Sequence, residues 1–410
     1  MKPLLILVIL ATAATAVDSW PQFRGPDGNG VIAGPSPREW SATEGIAWKT
    51  RLPGYGWSSP VVAKGKIVVT TSAEKNGKTI LGAHAYSLAD GSEQWSVDLF
   101  EPTEAELKAL HPKNSLATPT PLVIDEAVYV HFGHMGTAAL KLDDGSTIWT
   151  RKISYPPMHG NGSSPIAAGD FIVINVDAEK DPAVYALNRN DGTTAWKTPR
   201  DAEVARKFSF CTPTLVTHDG RPQIISPGSG MVGTYRPTDG KLLWKLDYGE
   251  GFSVVPRPVV GKGHVYLATG FLKPKLLAIR LDGATGDVTD SHLAWTVDRR
   301  IPKTPSFLIA NEQVIVLDDG GFLSGFDMKS GDELWRERLA GNFSASPLLC
   351  GDTLYCLTED GIAYVLELKK DGAEILSEID MGDRLFASPA VIDGHLILRS
   401  EKHLWKISGR

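Results

Sequence analysis

The chain has 410 residues, of which 42% are hydrophobic and 22% are charged, and its formal net charge is −6. A chain of this length usually folds into two or three domains. The mildly acidic charge, without a stripe of basic residues, argues against nucleic acid as a partner. The composition therefore favours a folded protein with another kind of partner.

The first 16 residues have the pattern of a secretory signal peptide. Lys2 precedes an apolar run, Leu4 to Leu10, that is too short to span a bilayer, and Ala14-Thr15-Ala16 resembles a cleavage site. We therefore expect residues 1–16 to be removed and the protein to be exported, to the periplasm or the cell exterior. We expect no transmembrane segment and no lipid anchor in the mature chain, because no cysteine follows the apolar run.

Further along, a glycine followed four residues later by a tryptophan recurs. Asp or Ser precedes the glycine each time, and the pairs are Gly91/Trp95, Gly145/Trp149, Gly192/Trp196, Gly240/Trp244 and Gly331/Trp335. The spacing is nearly regular, with one gap about twice as long, and such self-similarity indicates a repeat architecture.

Each repeat contains signals for four short strands. A small residue and a proline open an apolar run, as in Ser59-Pro60-Val61-Val62, and a glycine turn leads to a second β-branched run, as in Gly65 to Val69. A third apolar run enters the Asp-Gly turn, and the tryptophan lies on a fourth strand. Four-stranded units repeated at this period are typical of β-propeller blades, which bury their faces only against neighbouring blades.

The sequence predicts eight blades. First strands open at Pro60, Pro119, Pro165, Pro213, Pro256 or Pro258, Pro305, Pro347 and Pro389. The last repeat lacks its fourth strand, whereas Ile46 to Leu52 is a fourth strand without a repeat. We therefore predict an all-β fold over residues 38–410, an eight-bladed propeller of four-stranded antiparallel blades whose last blade is closed by the N-terminal strand. Residues 17–37 are expected to form an arm before it.

Tryptophans are expected to pack between the blades, and they are Trp48, Trp95, Trp149, Trp196, Trp244, Trp295 and Trp335. Two repeats depart from the pattern. The turn between Gly286 and Trp295 is longer, and after Gly372 the tryptophan position is predicted to be Leu376.

One short helix is predicted from Pro102 to His111, where Thr103 and Glu106 form a capping box. The three cysteines, Cys211, Cys350 and Cys356, are expected to be buried thiols.

Several of these motifs resemble a known family. Ser58-Ser59-Pro60-Val61-Val62, the stretch from Ala85 to Trp95 and the stretch from Asp143 to Trp149 are similar to the repeats of pyrroloquinoline-quinone (PQQ)-type propellers. The resemblance extends from about Arg38 to Ile407. Trp20 to Gly30 resembles the arm before the first blade in exported bacterial members.

This resemblance implies one of two kinds of protein. Quinoprotein dehydrogenases hold PQQ and calcium at the ring centre, but this sequence lacks their adjacent cysteines and an identifiable set of calcium ligands. The second kind, similar to the propeller lipoprotein of outer-membrane protein assembly, keeps the fold as a platform without a cofactor. The chain resembles this kind in size and blade count, although it lacks the lipid-bearing cysteine.

The loops that join successive blades share one face of a propeller with the loops between second and third strands, and that face is the candidate binding surface. We expect it to carry Tyr55, Trp57, His159, Asn161, Phe210, Phe252, Lys303, Phe343 and Arg384. Three histidines, His131, His134 and His159, are weak candidates for a metal site, with Asp177 near them in the sequence; the alternative is that they are ordinary polar residues.

The sequence therefore predicts an exported, non-catalytic scaffold that binds a protein or other macromolecule through its loop face. We predict no catalytic residues, no cofactor and a monomer. Two alternatives stay open at this point: a PQQ- and calcium-dependent alcohol or sugar dehydrogenase, and a carbohydrate-binding propeller.

Overall fold

The computed structural model describes residues 18–108, 110–156 and 158–409. The predicted signal peptide lies outside the described residues. The strands form eight separate sheets arranged in a ring, which confirms the predicted eight-bladed β-propeller. In the described part of the chain, no helix has the length and apolar character needed to cross a bilayer.

Two strands precede the first complete blade, and they are β1 (Val31–Ile32) and β2 (Ile46–Arg51). Blade one contains β3 (Val61–Ala63), β4 (Lys66–Lys75), β5 (Lys78–Ser87) and β6 (Glu93–Phe100). Blade two contains β7 (Leu122–Ile124), β8 (Ala127–His131), β9 (Thr137–Lys141) and β10 (Thr147–Arg151). Blade three contains β11 (Ile166–Ala168), β12 (Phe171–Val176), β13 (Ala183–Asn188) and β14 (Thr194–Pro199).

Blade four contains β15 (Thr214–His218), β16 (Arg221–Pro227), β17 (Met231–Tyr235) and β18 (Leu242–Asp247). Blade five contains β19 (Val259–Gly261), β20 (His264–Ala268), β21 (Leu276–Arg280) and, after β22 (Gly286–Asp287), β23 (Leu293–Val297). Blade six contains β24 (Leu308–Ala310), β25 (Gln313–Leu317), β26 (Phe322–Asp327) and β27 (Glu333–Arg338).

Blade seven contains β28 (Leu348–Cys350), β29 (Thr353–Leu357), β30 (Ile362–Lys369) and β31 (Gly372–Asp380). Blade eight contains β32 (Ala390–Ile392), β33 (His395–Arg399) and β34 (His403–Ile407), and β2 is its outer strand. β2 runs antiparallel to β34, with Trp48 opposite Lys406. This pairing confirms that the N-terminal strand closes the last blade.

A tryptophan of one blade covers the glycine turn of the next. The Trp95 indole Nε1 donates to the Leu142 carbonyl at 2.9 Å, and its ring lies over Gly145, where a Cβ atom would be 2.7 Å from the ring. Gly145 also has a φ of +74°, which favours glycine. The same arrangement occurs at Trp48/Gly91, Trp149/Gly192, Trp196/Gly240 and Trp295/Gly331.

Trp244 and Trp335 differ because the turn that follows each of them differs. Trp244 donates to Gln223 and Trp335 donates to Gln313, both within their own blades, at 3.1 and 2.7 Å. In blade five, which follows the blade of Trp244, the lengthened turn predicted between Gly286 and Trp295 is present. Its strand β22 pairs in parallel with β18.

In blade seven the tryptophan position is Ser377, and the prediction of Leu376 was wrong by one residue. In blade seven Ser377 lies opposite Val365, and at the equivalent position of blade six Trp335 lies opposite Gly325. Leu376, by contrast, is exposed. The prediction failed because Gly372 is not the positive-φ turn glycine of the repeat but the first residue of β31.

The segment between the N-terminal arm and β2 supplies a tryptophan where blade seven lacks one. Trp40 is buried, its ring centroid lies 6.3 Å from that of Tyr355, and its Nε1 donates to the Met381 sulfur at 3.5 Å. The Ser377 hydroxyl donates to the Arg38 carbonyl at 2.8 Å. Residues 38–40 therefore pack between blades seven and eight.

The predicted helix at Pro102 to His111 is wrong for the residues described there. The capping box forms, since the Thr103 N–H donates to the Glu106 carboxylate at 2.8 Å, but residues 104–108 make only turns. Leu110 then bridges to His159 in an extended segment. One capped turn is too short to propagate a helix without a packed apolar face.

The three cysteines, Cys211, Cys350 and Cys356, are buried free thiols, as expected.

The contact between Trp95 and Gly145 predicts a difference between two glycine substitutions. Gly145→Ala introduces both positive-φ strain and a clash with the indole, whereas Gly169→Ala introduces the strain alone, since Gly169 has a φ of +63° and open space around its Cβ position. We expect Gly169→Ala to cost about 1 kcal/mol and Gly145→Ala about 1–3 kcal/mol more, measured by urea denaturation. Equal losses would contradict the packing role of this contact.

Candidate functional site

A cavity of about 710 Å³ occupies the centre of the ring on the predicted loop face. Its walls come from the segments that lead into the first strand of every blade. Two layers of side chains line it, and each layer takes one residue from each contributing blade at the same position of the repeat.

The deeper layer is a ring of hydroxyl groups. Its members precede the first strands and are Ser59, Thr120, Ser164, Thr212, Ser306, Ser346 and Ser388. The Ser59 backbone N–H donates to the Thr120 hydroxyl at 3.0 Å, and the Ser388 N–H donates to the Ser59 hydroxyl at 3.1 Å. Equivalent bonds of 2.9–3.0 Å join the other neighbours, except between Thr212 and blade five. These bonds satisfy buried N–H groups and hold adjacent inner strands together.

This ring corrects the positions of two predicted strand openings. In blade two the hydroxyl residue is Thr120 followed by Pro121, so the opening is not at Pro119. In blade six Ser306 is followed by Phe307, so Pro305 precedes the ring residue. In blade five the ring position is Arg257, followed by Pro258.

The N-terminal arm forms the floor of the cavity. Phe23 lines it from below, and the Phe23 carbonyl accepts a hydrogen bond from the Arg257 guanidinium at 2.6 Å. The Pro21 carbonyl accepts from the Val123 N–H at 2.8 Å, and Arg24 donates to the Phe307 carbonyl at 2.5 Å. Because the arm bonds to blades two, five and six, it closes the channel opposite the loop face.

Two buried guanidinium groups hold this floor. Burial and the nearby Arg257 charge lower the pKa of Arg24 to about 9, and burial lowers the pKa of Arg257 to about 10. Both groups therefore stay protonated near neutral pH, and both donate to backbone carbonyls.

Aromatic side chains surround the mouth of the cavity. On the side of blades three to five, ring centroids are 5.4 Å apart for His159 and Phe208, 5.4 Å for Phe208 and Phe252, and 6.3 Å for Phe252 and Phe271. We call the cavity-lining rings of His159, Phe210, Phe252 and Phe271, together with the buried Phe208 that packs against three of them, the aromatic wall. Across the channel, Trp57 stacks on Phe386 at 4.5 Å, and Tyr55 meets the edge of Trp57 at 4.9 Å.

Cations lie over several of these rings. The Arg206 guanidinium is 4.6 Å from the Phe252 centroid, and the Lys303 ammonium is 4.7 Å from the Phe271 centroid. The Arg384 guanidinium is 4.7 Å from the Phe386 centroid on the other side. The mouth is therefore apolar with positive charge at its rim.

The structure separates the predicted surface residues into three groups. Those that line the cavity are Trp57, His159, Phe210, Phe252 and Lys303. Tyr55 and Arg384 adjoin Trp57. Asn161 and Phe343 are buried and do not line the cavity, so their prediction as surface residues was wrong.

Side-chain alternation explains those two errors. The upper lining layer lies two residues before the hydroxyl ring and consists of Trp57, Thr118, Gly162, Phe210, Val255, Thr304, Ser344 and Phe386. Asn161 and Phe343 lie three residues before the ring. In an extended chain the two positions point in opposite directions, so the side chains of Asn161 and Phe343 turn into the blades.

Sequence reasoning missed Phe23, Arg206, Phe271 and Leu272. The last two lie in the loop between the second and third strands of blade five, where both are exposed. That loop belongs to the predicted face, so two consecutive apolar residues there were a usable signal.

The histidine candidates do not assemble as metal ligands. His131 is buried with its Nδ1 2.7 Å from the Thr137 hydroxyl, and His134 donates from Nε2 to the Glu106 carbonyl at 3.1 Å. Asp177 is held by Arg200 at 2.6 Å. Within residues 18–108, 110–156 and 158–409, the group with metal-ligand spacing is His218, Asp219 and Asp282, which does not line the cavity.

The cavity residues do not fit PQQ with calcium. Its lining contains one carboxylate, Asp319, whose oxygens accept from the Lys303 N–H at 2.6 Å and the Thr304 hydroxyl at 2.9 Å. The lining amide of Asn114 is also engaged, because its oxygen accepts from the Ser115 N–H at 2.8 Å. Calcium prefers six to eight oxygen ligands that include carboxylates, and this lining does not provide them.

The fold and the central cavity define the class of the protein: an eight-bladed quinoprotein-like propeller with a floored channel. Residues 38–178, 157–286 and 287–380 match the family model described as outer membrane protein assembly factor BamB. The chain belongs to this family.

Curated relatives carry the same description. BamB of Xanthomonas campestris pv. campestris is 26% identical over 334 residues, which cover 68% of this chain and 78% of the relative. BamB of Salmonella typhimurium is 26% identical over 297 residues, which cover 68% of this chain and 70% of the relative.

Solved structures share the fold. BamB from Moraxella catarrhalis aligns with a TM-score of 0.61 at 13% identity, covering 88% of this chain and 99% of that one. A europium-containing methanol dehydrogenase aligns with a TM-score of 0.72 at 10% identity, covering 94% and 90%. At such identities these likenesses show the fold alone.

The burial of His131 predicts a loss of stability in acid. Burial and the neighbouring His134 lower the pKa of His131 to about 3 from the ordinary 6.5. Between these values the unfolded chain binds a proton that the folded protein does not, so the free energy of unfolding falls as pH decreases through this window. We expect His131→Gln to reduce this slope by up to about 1.4 kcal/mol per pH unit, measured by urea denaturation from about pH 4 to 7.

His292→Gln, in a turn of blade five, is the matched control for the loss of one histidine. An unchanged slope in His131→Gln would show that His131 is not a buried neutral imidazole.

Proposed function

We propose that this protein is an exported, non-catalytic scaffold that holds a protein partner at the central cavity of its loop face. The observation that carries the proposal is the shape and lining of the cavity. It is open on one side, floored by the arm, lined by aromatic side chains and edged with cations.

The chemistry of this surface favours a macromolecular partner. Exposed Phe271 and Leu272 stand beside the aromatic wall, with exposed fractions of 44% and 58%. Contiguous exposed apolar side chains of this kind mark interaction sites, and aromatic and Arg residues are enriched where proteins bind one another. A protein segment covers both the cavity and the loop that rises beside it.

Family membership supports the cellular setting. The relatives are described as outer membrane protein assembly factors. We extend this to the present chain and infer a periplasmic protein whose partner belongs to outer-membrane protein assembly. The predicted export of the chain agrees with that location.

The two alternatives have less support. A PQQ- and calcium-dependent dehydrogenase requires calcium ligands that the cavity lining does not offer. A carbohydrate site needs aromatic rings that are free to stack on sugars, but Phe343 is fully buried and Trp57 is already stacked on Phe386. The carbohydrate alternative also leaves the cations at the rim unexplained.

Site-specific photocrosslinking in the source bacterium tests the scaffold proposal. We would replace Leu272, at the cavity mouth, with a photoreactive phenylalanine analogue, and use Ile148 and Lys329 as control positions. Ile148 is 44% exposed on the outer strand of blade two, and Lys329 lies in a turn on the opposite face. We expect discrete protein adducts at position 272, identified by mass spectrometry, and weak or no adducts at the controls.

Equal adducts at the three positions, or none at position 272, would contradict a partner-binding loop face. Adducts with proteins unrelated to the outer membrane would support the scaffold proposal but contradict the inferred role in outer-membrane protein assembly.

A further inference from the structure

Two cations at the cavity mouth, Arg206 and Lys303, lack the carboxylate partners that charged surface groups usually have. In the described part of the chain, the side-chain nitrogens of Arg206 and Lys303 form no ion pair with a carboxylate oxygen within 4.0 Å, and the Arg384 guanidinium contacts the Glu401 carboxylate at 3.9 Å. By contrast, Lys113 at the same rim contacts Glu359 at 2.6 Å. Arg206 and Lys303 are therefore unpaired at the mouth, and Arg384, whose contact with Glu401 is long, is available with them to bind an anionic ligand.

The positions of these three cations suit a ligand that carries more than one anionic group. Arg206 and Lys303 flank the adjacent rings of Phe252 and Phe271, whereas Arg384 lies over Phe386 across the channel. An apolar cavity separates the two sides. A ligand that satisfies both sides carries carboxylates at separated positions with apolar groups between them.

We propose that the cavity binds an extended acidic peptide segment in which carboxylate side chains alternate with aromatic or leucine side chains. Side chains of an extended chain point alternately to opposite sides, so the apolar ones enter the cavity and pack on the aromatic wall. The carboxylates then face Arg206, Lys303 and Arg384. This inference rests on the proposed scaffold function and names the chemistry of the partner.

The surroundings favour a peptide over other anions. A nucleic acid places a charge on every nucleotide and usually binds to basic surfaces, whereas this chain has a net charge of −6. The exposed side chains of Phe271 and Leu272 add apolar area that a free carboxylate or phosphate leaves uncovered. A peptide with both features matches the whole surface.

Fluorescence polarisation with defined peptides tests the inference. The probe is a labelled, terminally blocked peptide of alternating Asp and Phe residues. Two matched peptides replace either every Asp by Lys or every Phe by Ser, and oligothymidylate tests a phosphate ligand. We expect the Asp-Phe peptide to bind at least about tenfold more tightly than the other three, with an affinity that falls as salt rises from about 50 to 300 mM.

Charge variants locate the binding. Lys303→Glu combined with Arg206→Glu should weaken binding of the Asp-Phe peptide about tenfold or more, because attraction becomes repulsion. Lys329→Glu reverses a charge on the opposite face and should leave the affinity for the Asp-Phe peptide within about twofold of the wild-type value. Phe271→Ser should also weaken binding, while Leu334→Ser, 52% exposed on an outer strand, should not.

The inference is overturned if the Lys-Phe peptide or oligothymidylate binds as well as the Asp-Phe peptide, or if the double charge reversal leaves binding unchanged. If the acidic peptide does not bind but protein adducts still form at position 272, the inferred ligand chemistry is rejected and the scaffold proposal stands. Failure of both experiments would reject the scaffold as well.

Discussion

The contact between a tryptophan of one blade and a glycine turn of the next is the constraint on which this molecule depends. A four-stranded blade has two apolar faces and cannot bury them alone. The Trp95 indole covers Gly145 and donates to the Leu142 carbonyl, so one residue provides both packing and a directional bond between blades. A glycine is required below the ring because it supplies the positive φ and leaves room for the indole.

The departures from this contact explain the role of the residues that precede β2. Where blade seven has Ser377 at the tryptophan position, the segment between the arm and β2 inserts Trp40 beside Tyr355 and Met381. Upstream, the arm itself crosses the channel and forms its floor with Phe23. A single segment therefore completes the packing of the ring and converts an open channel into a cavity that opens on one face.

Much of the fold follows from local sequence, because turns and strand periods are local properties. The Asp-Gly turns and the Ser-Pro openings predict eight blades and their closure by β2. The site is less predictable, because whether a loop residue faces the channel axis depends on how many residues separate it from the ring of hydroxyl groups. Phe386 lies two residues before Ser388 and lines the cavity, whereas Phe343 lies three residues before Ser346 and is buried. The floor depends on contacts between residues more than 200 positions apart, such as Phe23 and Arg257, which no local pattern indicates.

The central claim is that this ring keeps the quinoprotein-like fold but uses its central cavity to hold a protein partner instead of a cofactor. Calorimetric titration of the mature protein with pyrroloquinoline quinone, with and without calcium, tests this claim most directly. The account predicts no calcium-dependent heat of binding and no change in thermal stability, since ligand binding raises stability with ligand concentration. Tight, calcium-dependent binding of the quinone would contradict the account and direct the search to an alcohol substrate.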